Sequence, residues 1–263
     1  MFNFSVAGKK LLIIGGNSYI GSEVTRRAVS LGAHVTCVSR SGGPRRSNTY
    51  RPEITWVAGD IMKPYTFEKE LENSDAVIHT VGVLSDTRIT MLRNAKDEGS
   101  YETLNRNSAR AIGDALNHIG GKKMVYVSTA QGGGFMSKFI ENKQEGADFI
   151  ASIQQVKTTV LRPGYIYSLK YRPWRIPLKY GKDFYQGITS AISNIAGENP
   201  SLKEMLRRSE IQHAVHVDAV ALVALLASCS SEYEGKVIES KEIQSIYEQF
   251  AERVKEDVSK HPH

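Results

Sequence analysis

Cysteine is nearly absent: the 263 residues include only Cys37, inside an apolar run, and Cys229, just after another. Two scattered thiols exclude a disulfide framework and a cysteine-based metal site. No apolar run approaches the roughly 18–20 residues that cross a bilayer, so the chain reads as soluble or peripheral. Met1–Lys10 lacks an apolar core of the length a secretory signal needs. Repeats, low-complexity tracts, zinc spacings and an aromatic RNA-binding signature are also missing, so a nucleic-acid partner is not expected. The net charge of +6 and pI near 9.2 permit an anionic partner without choosing one. With 41% hydrophobic and 24% charged residues, the chain can bury the core of one large α/β domain.

Short apolar runs alternate with amphipathic stretches, the pattern of βαβ units and a doubly wound parallel sheet of the Rossmann type. It predicts strands at Lys10–Ile14, His34–Ser39, Ile54–Ala58, Ala76–Thr80, Lys123–Val127 and Thr158–Leu161. Helices are expected at Ile20–Leu31, Phe67–Leu71, Tyr101–Ile119 and Phe135–Gln155, with Gly32 and Gly120–Gly121 closing two of them. Beyond Tyr167 the regularity weakens, which divides the chain into a dinucleotide-binding part, 1–168, and a smaller, irregular docking or substrate-side part, 169–263. The latter is expected to carry helices near Asp183–Ala196, at Asp218–Ala227 and at Lys241–Val258. Lys170, Arg172, Arg175, Lys179 and Lys182 alternate there with Tyr171, Trp174, Tyr180, Phe184 and Tyr185. That mixture fits a peripheral membrane or partner contact through Lys170–Tyr185, or a solvated loop with core-facing aromatics.

The first strand runs straight into Gly15-Gly16-Asn17-Ser18-Tyr19-Ile20-Gly21 and then a helix. In that context the glycines carry meaning: Gly15 permits the turn, Gly21 lets helix and strand pack closely, and the first helical N–H groups face a pyrophosphate. Ser18 stands where a glycine is usual, so either the loop opens slightly or nucleotide binding weakens. About 20 residues on, where an NAD-preferring site has a carboxylate, the second strand ends in Ser39-Arg40-Ser41. Arg40 is suited to a 2′-phosphate, with Ser39 and Ser41 as hydroxyl donors, and this points to NADP(H). Asp60 and Ile61 after the third strand suit the adenine. Thr80, Val81 and Gly82 after the fourth are small enough for the cofactor to pass. His79, His213 and His216 sit singly in apolar surroundings and read as structural.

Ile14–Gly21, Val38–Gly42, Gly59–Pro64, Tyr126–Ala130, Leu161–Tyr167 and Val215–Ala221 resemble, in order, the motifs of the extended atypical short-chain dehydrogenase/reductases of mitochondria and plastids. The resemblance spans about Leu11 to Ala227. It implies that Pro163, Gly164 and Ile166 wrap the nicotinamide, that Ser128 is the serine after the fifth strand, and that Lys143 holds the nicotinamide ribose. The Tyr-x-x-x-Lys motif of that family matches as Phe139-Ile140-Glu141-Asn142-Lys143, so the acid/base tyrosine is replaced by phenylalanine. Losing a general acid typically removes about two to four decades of rate. The expectation is an NADP(H)-binding, non-catalytic subunit of a larger mitochondrial assembly on the matrix side of the inner membrane, linked to respiratory complex I or to quinones. The alternative is an NADP-dependent oxidoreductase of a quinone-type or hydrophobic carbonyl substrate. No metal is expected.

Overall fold

Leu11 and Ile13 face one apolar layer while Leu12 and Ile14 face the other, as strand alternation requires when both faces of a sheet are covered. The computed structural model describes residues 5–44, 52–82, 102–130, 137–164, 166–168 and 215–260. Lys10–Ile14 (β1), His34–Ser39 (β2), Ile54–Ala58 (β3), Ala76–His79 (β4), Lys123–Val127 (β5), Lys157–Arg162 (β6) and Val237–Glu239 (β9) form one sheet in the order β3-β2-β1-β4-β5-β6-β9. Every pairing in it is parallel. The short strands Ile166–Tyr167 (β7) and Val215–His216 (β8) pair separately.

Tyr19–Ser30 (α1), Val217–Cys229 (α5) and Ser240–Lys260 (α6) contribute to one apolar layer through residues such as Val24, Ala28, Leu222, Leu226, Ile243 and Ile246. Glu68–Asn73 (α2), Ser108–Ile119 (α3) and Ser137–Ser152 (α4) supply the opposite layer through Leu71, Ile112, Leu116 and Ile150. The doubly wound Rossmann architecture is therefore present, with helices on both faces.

Three details differ from the sequence pattern. The helix expected from Tyr101 begins as a π turn, Glu102–Asn107, before α3. The fourth strand ends at His79, one residue early, because Thr80 turns its side chain back to the carbonyls of Ile14 and Gly15. The sequence pattern predicts none of β7, β8 and β9, whose two or three residues are too few for a readable alternation; of these, β9 joins the main sheet. It extends the sheet beyond β6, and α5 is buried along its length from Val217 to Ser228. Residues 215–260 thus share the layers of the main sheet. The basic aromatic stretch Lys170–Tyr185 and the helix expected near Asp183–Ala196 lie outside the described residues.

One polar cluster fastens α5 to α1. Glu23, 1% exposed, accepts from Arg26 Nε at 3.0 Å through both carboxylate oxygens. Arg27 Nη2 lies 3.2 Å from Asp218 Oδ2 at the start of α5. Burial raises the Glu23 pKa, opposed by the Arg26 hydrogen bond.

Candidate nucleotide-binding site

The chain leaves β1 toward β2 on one side and finds β4 on the other. This reversal opens a crevice at the carboxyl ends of β1 and β4, the place where open α/β sheets bind ligands. Its walls are Gly15–Ser18 and Thr80–Gly82.

Gly15 has φ +91°, a conformation that side chains rarely adopt, and a Cβ there would lie 2.8 Å from Thr80 Oγ1. Gly21 is more constrained: its Cβ would meet the Gly15 carbonyl oxygen at 2.1 Å. Ser18 is the N-cap of α1, accepting from the Gly21 N–H at 3.0 Å and contacting Thr80 Oγ1 at 3.2 Å. Its hydroxyl is thus engaged with the scaffold of the turn. Tyr19 and Ile20 begin the helix, whose first turn carries no acidic residue, so no carboxylate of that turn neutralises its positive dipole end. This turn fits a dinucleotide's pyrophosphate.

On the β2 side, Ser39 Oγ donates to the Gly43 carbonyl at 3.0 Å and accepts from its N–H at 3.1 Å. Ser41 Oγ also reaches that carbonyl, at 3.4 Å, and Asn17 Nδ2 donates to it at 3.2 Å. Both serines therefore shape the loop beside the glycine turn, while Arg40 is exposed. Asp60 accepts from the Met62 N–H at 3.0 Å, and Ile61 is half-buried beside it. Arg40→Ala is expected to weaken NADP(H) retention by about one to two decades, roughly 1.5–3 kcal/mol for a charge-assisted contact, and to leave NAD(H) binding unchanged. Titration with the two nucleotides checks this; equal losses for both would remove Arg40 from the 2′-phosphate role.

On the β5 side, Lys143 is 3% exposed and donates to Val81 O at 2.6 Å and Val127 O at 2.8 Å. Its ammonium lies 4.6 Å from the centroid of the Tyr126 ring. Burial lowers the Lys143 pKa to about 7. A Cβ at Gly82 would meet Lys143 Cε at 2.9 Å and Asn105 Oδ1 at 3.3 Å, so the exposed glycine covers the amine. Ser128 donates to the Lys143 carbonyl at 3.1 Å. Phe139, one turn earlier on α4, is buried at 7% exposure. Pro163 accepts from the Ala130 N–H at 2.9 Å, and Gly164 N–H donates to Ser240 at 3.1 Å. Ile166 continues into β7.

Three residues here have no clear sequence signal as a group. His79 is fully buried at the end of β4, its Nε2 is 3.3 Å from Ser108 Oγ and its Nδ1 has no hydrogen-bond partner among the described residues. Its pKa is pulled well down by burial and by Lys143. Tyr126 donates to the Asn105 carbonyl in the π turn at 3.0 Å, and burial pushes its own pKa up. The expectation of a satisfied core histidine holds for one nitrogen of His79; His216 caps α5 by accepting from Asp218 N at 3.2 Å, and His213 lies outside the described residues. The described residues contain no cluster able to hold a metal.

A parallel doubly wound sheet with a glycine turn at its switch point defines a Rossmann protein of the dinucleotide-binding kind. Residues 15–188 match the NAD(P)H-binding family, and the chain belongs to it. MIOREX complex component 2 of Saccharomyces cerevisiae is 26% identical over 201 residues, which is 60% of this chain and 73% of the yeast protein. Photosystem II assembly factor Ycf39 of Synechocystis is 33% identical over 121 residues, covering 45% of this chain but 33% of the cyanobacterial one. Among solved structures, Bordetella bronchiseptica WbmF in complex with NAD+ has TM-score 0.59 at 13% identity, covering 92% of this chain and 79% of that one. Epimerase Mth375 of Methanothermobacter thermautotrophicus has TM-score 0.60 at 14% identity, covering 94% and 78%. At those identities the structural likeness establishes the fold.

Proposed function

We propose that this chain is an NADP(H)-binding accessory or assembly subunit that turns over no substrate at a useful rate. Its place is a mitochondrial complex on the matrix side of the inner membrane, respiratory complex I or a quinone-linked assembly. The observation that carries the reading is the state of the proton-transfer position. Phe139 has no proton to give, Ser128 donates to a backbone carbonyl, and Lys143 donates to two. Tyr126 is turned to the π turn, and His79 is sealed in the core. The nucleotide-holding elements, by contrast, fit their ligand: a positive-φ glycine, a helix start without acids, and an exposed arginine in place of a carboxylate.

Relatives named as a complex component and as an assembly factor support the accessory role. The mitochondrial placement is supported by the family resemblance and the basic pI. The stretch Lys170–Tyr185 is the proposed membrane or partner contact. A nucleotide bound only by the folded state adds about 2.7 kcal/mol at a hundredfold excess over Kd, enough to matter to assembly. The test is native purification from mitochondria, with nucleotide released on denaturation and turnover measured on quinone-like and carbonyl substrates. The expected result is NADP(H) in a larger assembly, no useful turnover, and loss of assembly with Arg40→Ala. Robust turnover abolished by Lys143→Ala would overturn the reading, as would a diffuse cytosolic location of the full-length chain.

A further inference from the structure

The amine of Lys143 is buried, and no counter-ion is in contact with it among the described residues. Its neighbours are the carbonyls of Val81 and Val127 and the Tyr126 ring. From β4 it faces His79, whose burial keeps it neutral, and from β5 the neutral Tyr126 phenol. The π turn contributes uncharged Asn105 and Arg106, which is paired with Glu145 of α4 at 2.9 Å. Glu141, also on α4, is exposed. A protonated Lys143 is therefore a positive charge weakly screened by water and close to no free carboxylate among these groups.

That charge lies at one end of the crevice. With the 2′-phosphate end at Arg40 and the pyrophosphate at the start of α1, the remaining end of a dinucleotide would lie over Val81–Gly82, where the bare Gly82 backbone adjoins the amine: a Cβ there would meet Lys143 Nζ at 3.3 Å. The nicotinamide ring differs between its two redox states by one full positive charge, carried by the oxidised form. A nearby fixed cation in a low-dielectric wall disfavours the charged ring and is indifferent to the neutral one.

We infer that the site discriminates between redox states of its nucleotide, retaining the reduced form and releasing the oxidised one through the ammonium of Lys143. The inference rests on the proposed NADP(H) reading of the site and deepens it: the chain would report the reduction state of the nucleotide pool to its assembly without reacting. Because burial lowers the Lys143 pKa to about 7, the discrimination strengthens below neutrality and fades above it.

The experiment is equilibrium binding of NADPH, NADP+ and the same dinucleotide lacking its nicotinamide ring, to the full chain, at pH 6.0 and 8.5. NADPH is expected to bind about tenfold more tightly than NADP+ at pH 6.0, a difference of about 1.4 kcal/mol. The ratio is expected to approach unity at pH 8.5. The ring-less dinucleotide reports pH effects on the phosphates, and its profile should parallel that of NADPH. Lys143→Met should remove the pH dependence of the ratio, and the wild-type series decides the matter even where that variant fails to fold. Equal affinities at pH 6.0, or a ratio independent of pH, overturn the inference. Failure of all three ligands to bind overturns the underlying reading of the site as well.

Discussion

Gly21→Val is expected to abolish nucleotide retention and to lower the thermal midpoint by about 6–12 °C, the equivalent of about 3 kcal/mol for a chain of this size. The cause is local and rigid. A Cβ at position 21 would lie 2.1 Å from the Gly15 carbonyl oxygen and 2.6 Å from Thr80 Oγ1. Neither neighbour can yield cheaply, because Gly15 is backbone in a positive-φ turn and Thr80 Oγ1 is hydrogen-bonded to the Ile14 and Gly15 carbonyls. Relief therefore requires α1 to move off β1, which displaces both the Ser18 cap and the helix start proposed to face the pyrophosphate. Gly235→Ala is the contrast: φ is +74° there, but a Cβ meets nothing within 4 Å, so only backbone strain of about 1 kcal/mol is expected. Calorimetry of the two variants, with nucleotide measured after denaturation, checks the pair. A Gly21→Val protein melting within about 2 °C of the parent and still holding nucleotide would remove the close-packing role of Gly21.

The contrast between these glycines also separates what could be read from sequence. Gly15 and Gly21 were legible because strand, turn and helix follow without a gap, and that context gives a glycine its meaning. The central strands were legible for a related reason: a strand buried on both faces is a continuous apolar run, as in Leu11–Ile14 and Met124–Val127. The side-chain duties were less so. Ser18 reads as an obstruction where glycine is usual, yet its hydroxyl caps α1. Ser39 and Ser41 read as phosphate donors, yet both are engaged with Gly43. Small hydroxyl residues near a turn satisfy local backbone groups as readily as ligands, and spacing does not distinguish the two. The π turn and the Tyr126–Asn105 contact left no trace in periodicity, since a six-residue π segment is too short to show a repeat of its own. The phenylalanine at 139 was the reverse case: one missing oxygen, visible in the sequence, decides what the site cannot donate.

Stability of the nucleotide-free chain is expected to rise by about 2 kcal/mol between pH 6.5 and 8.5 because of Lys143. The unfolded chain keeps this lysine protonated throughout that range, its ordinary pKa being 10.5, whereas burial brings the folded value to about 7. The unfolded state then binds more protons, so stability grows with pH; the full span from 7 to 10.5 amounts to roughly 4–5 kcal/mol. Two other groups bound the usable window. Above it, the Cys37 thiol is held neutral in the fold, its pKa pushed up to about 11 by burial, so ionisation in the unfolded chain works the other way. Below it, His79 stays neutral in the fold while the unfolded chain takes up a proton near pH 6.5, so stability falls by up to about 1.4 kcal/mol per unit as the pH drops further. Urea midpoints of the wild type, Lys143→Met and His79→Gln across pH 5–8.5 separate the two. Lys143→Met should flatten the profile above pH 6.5 and His79→Gln the profile below it. A wild-type slope unchanged by Lys143→Met would mean that the amine stays charged in the folded core, held so by the Val81 and Val127 carbonyls.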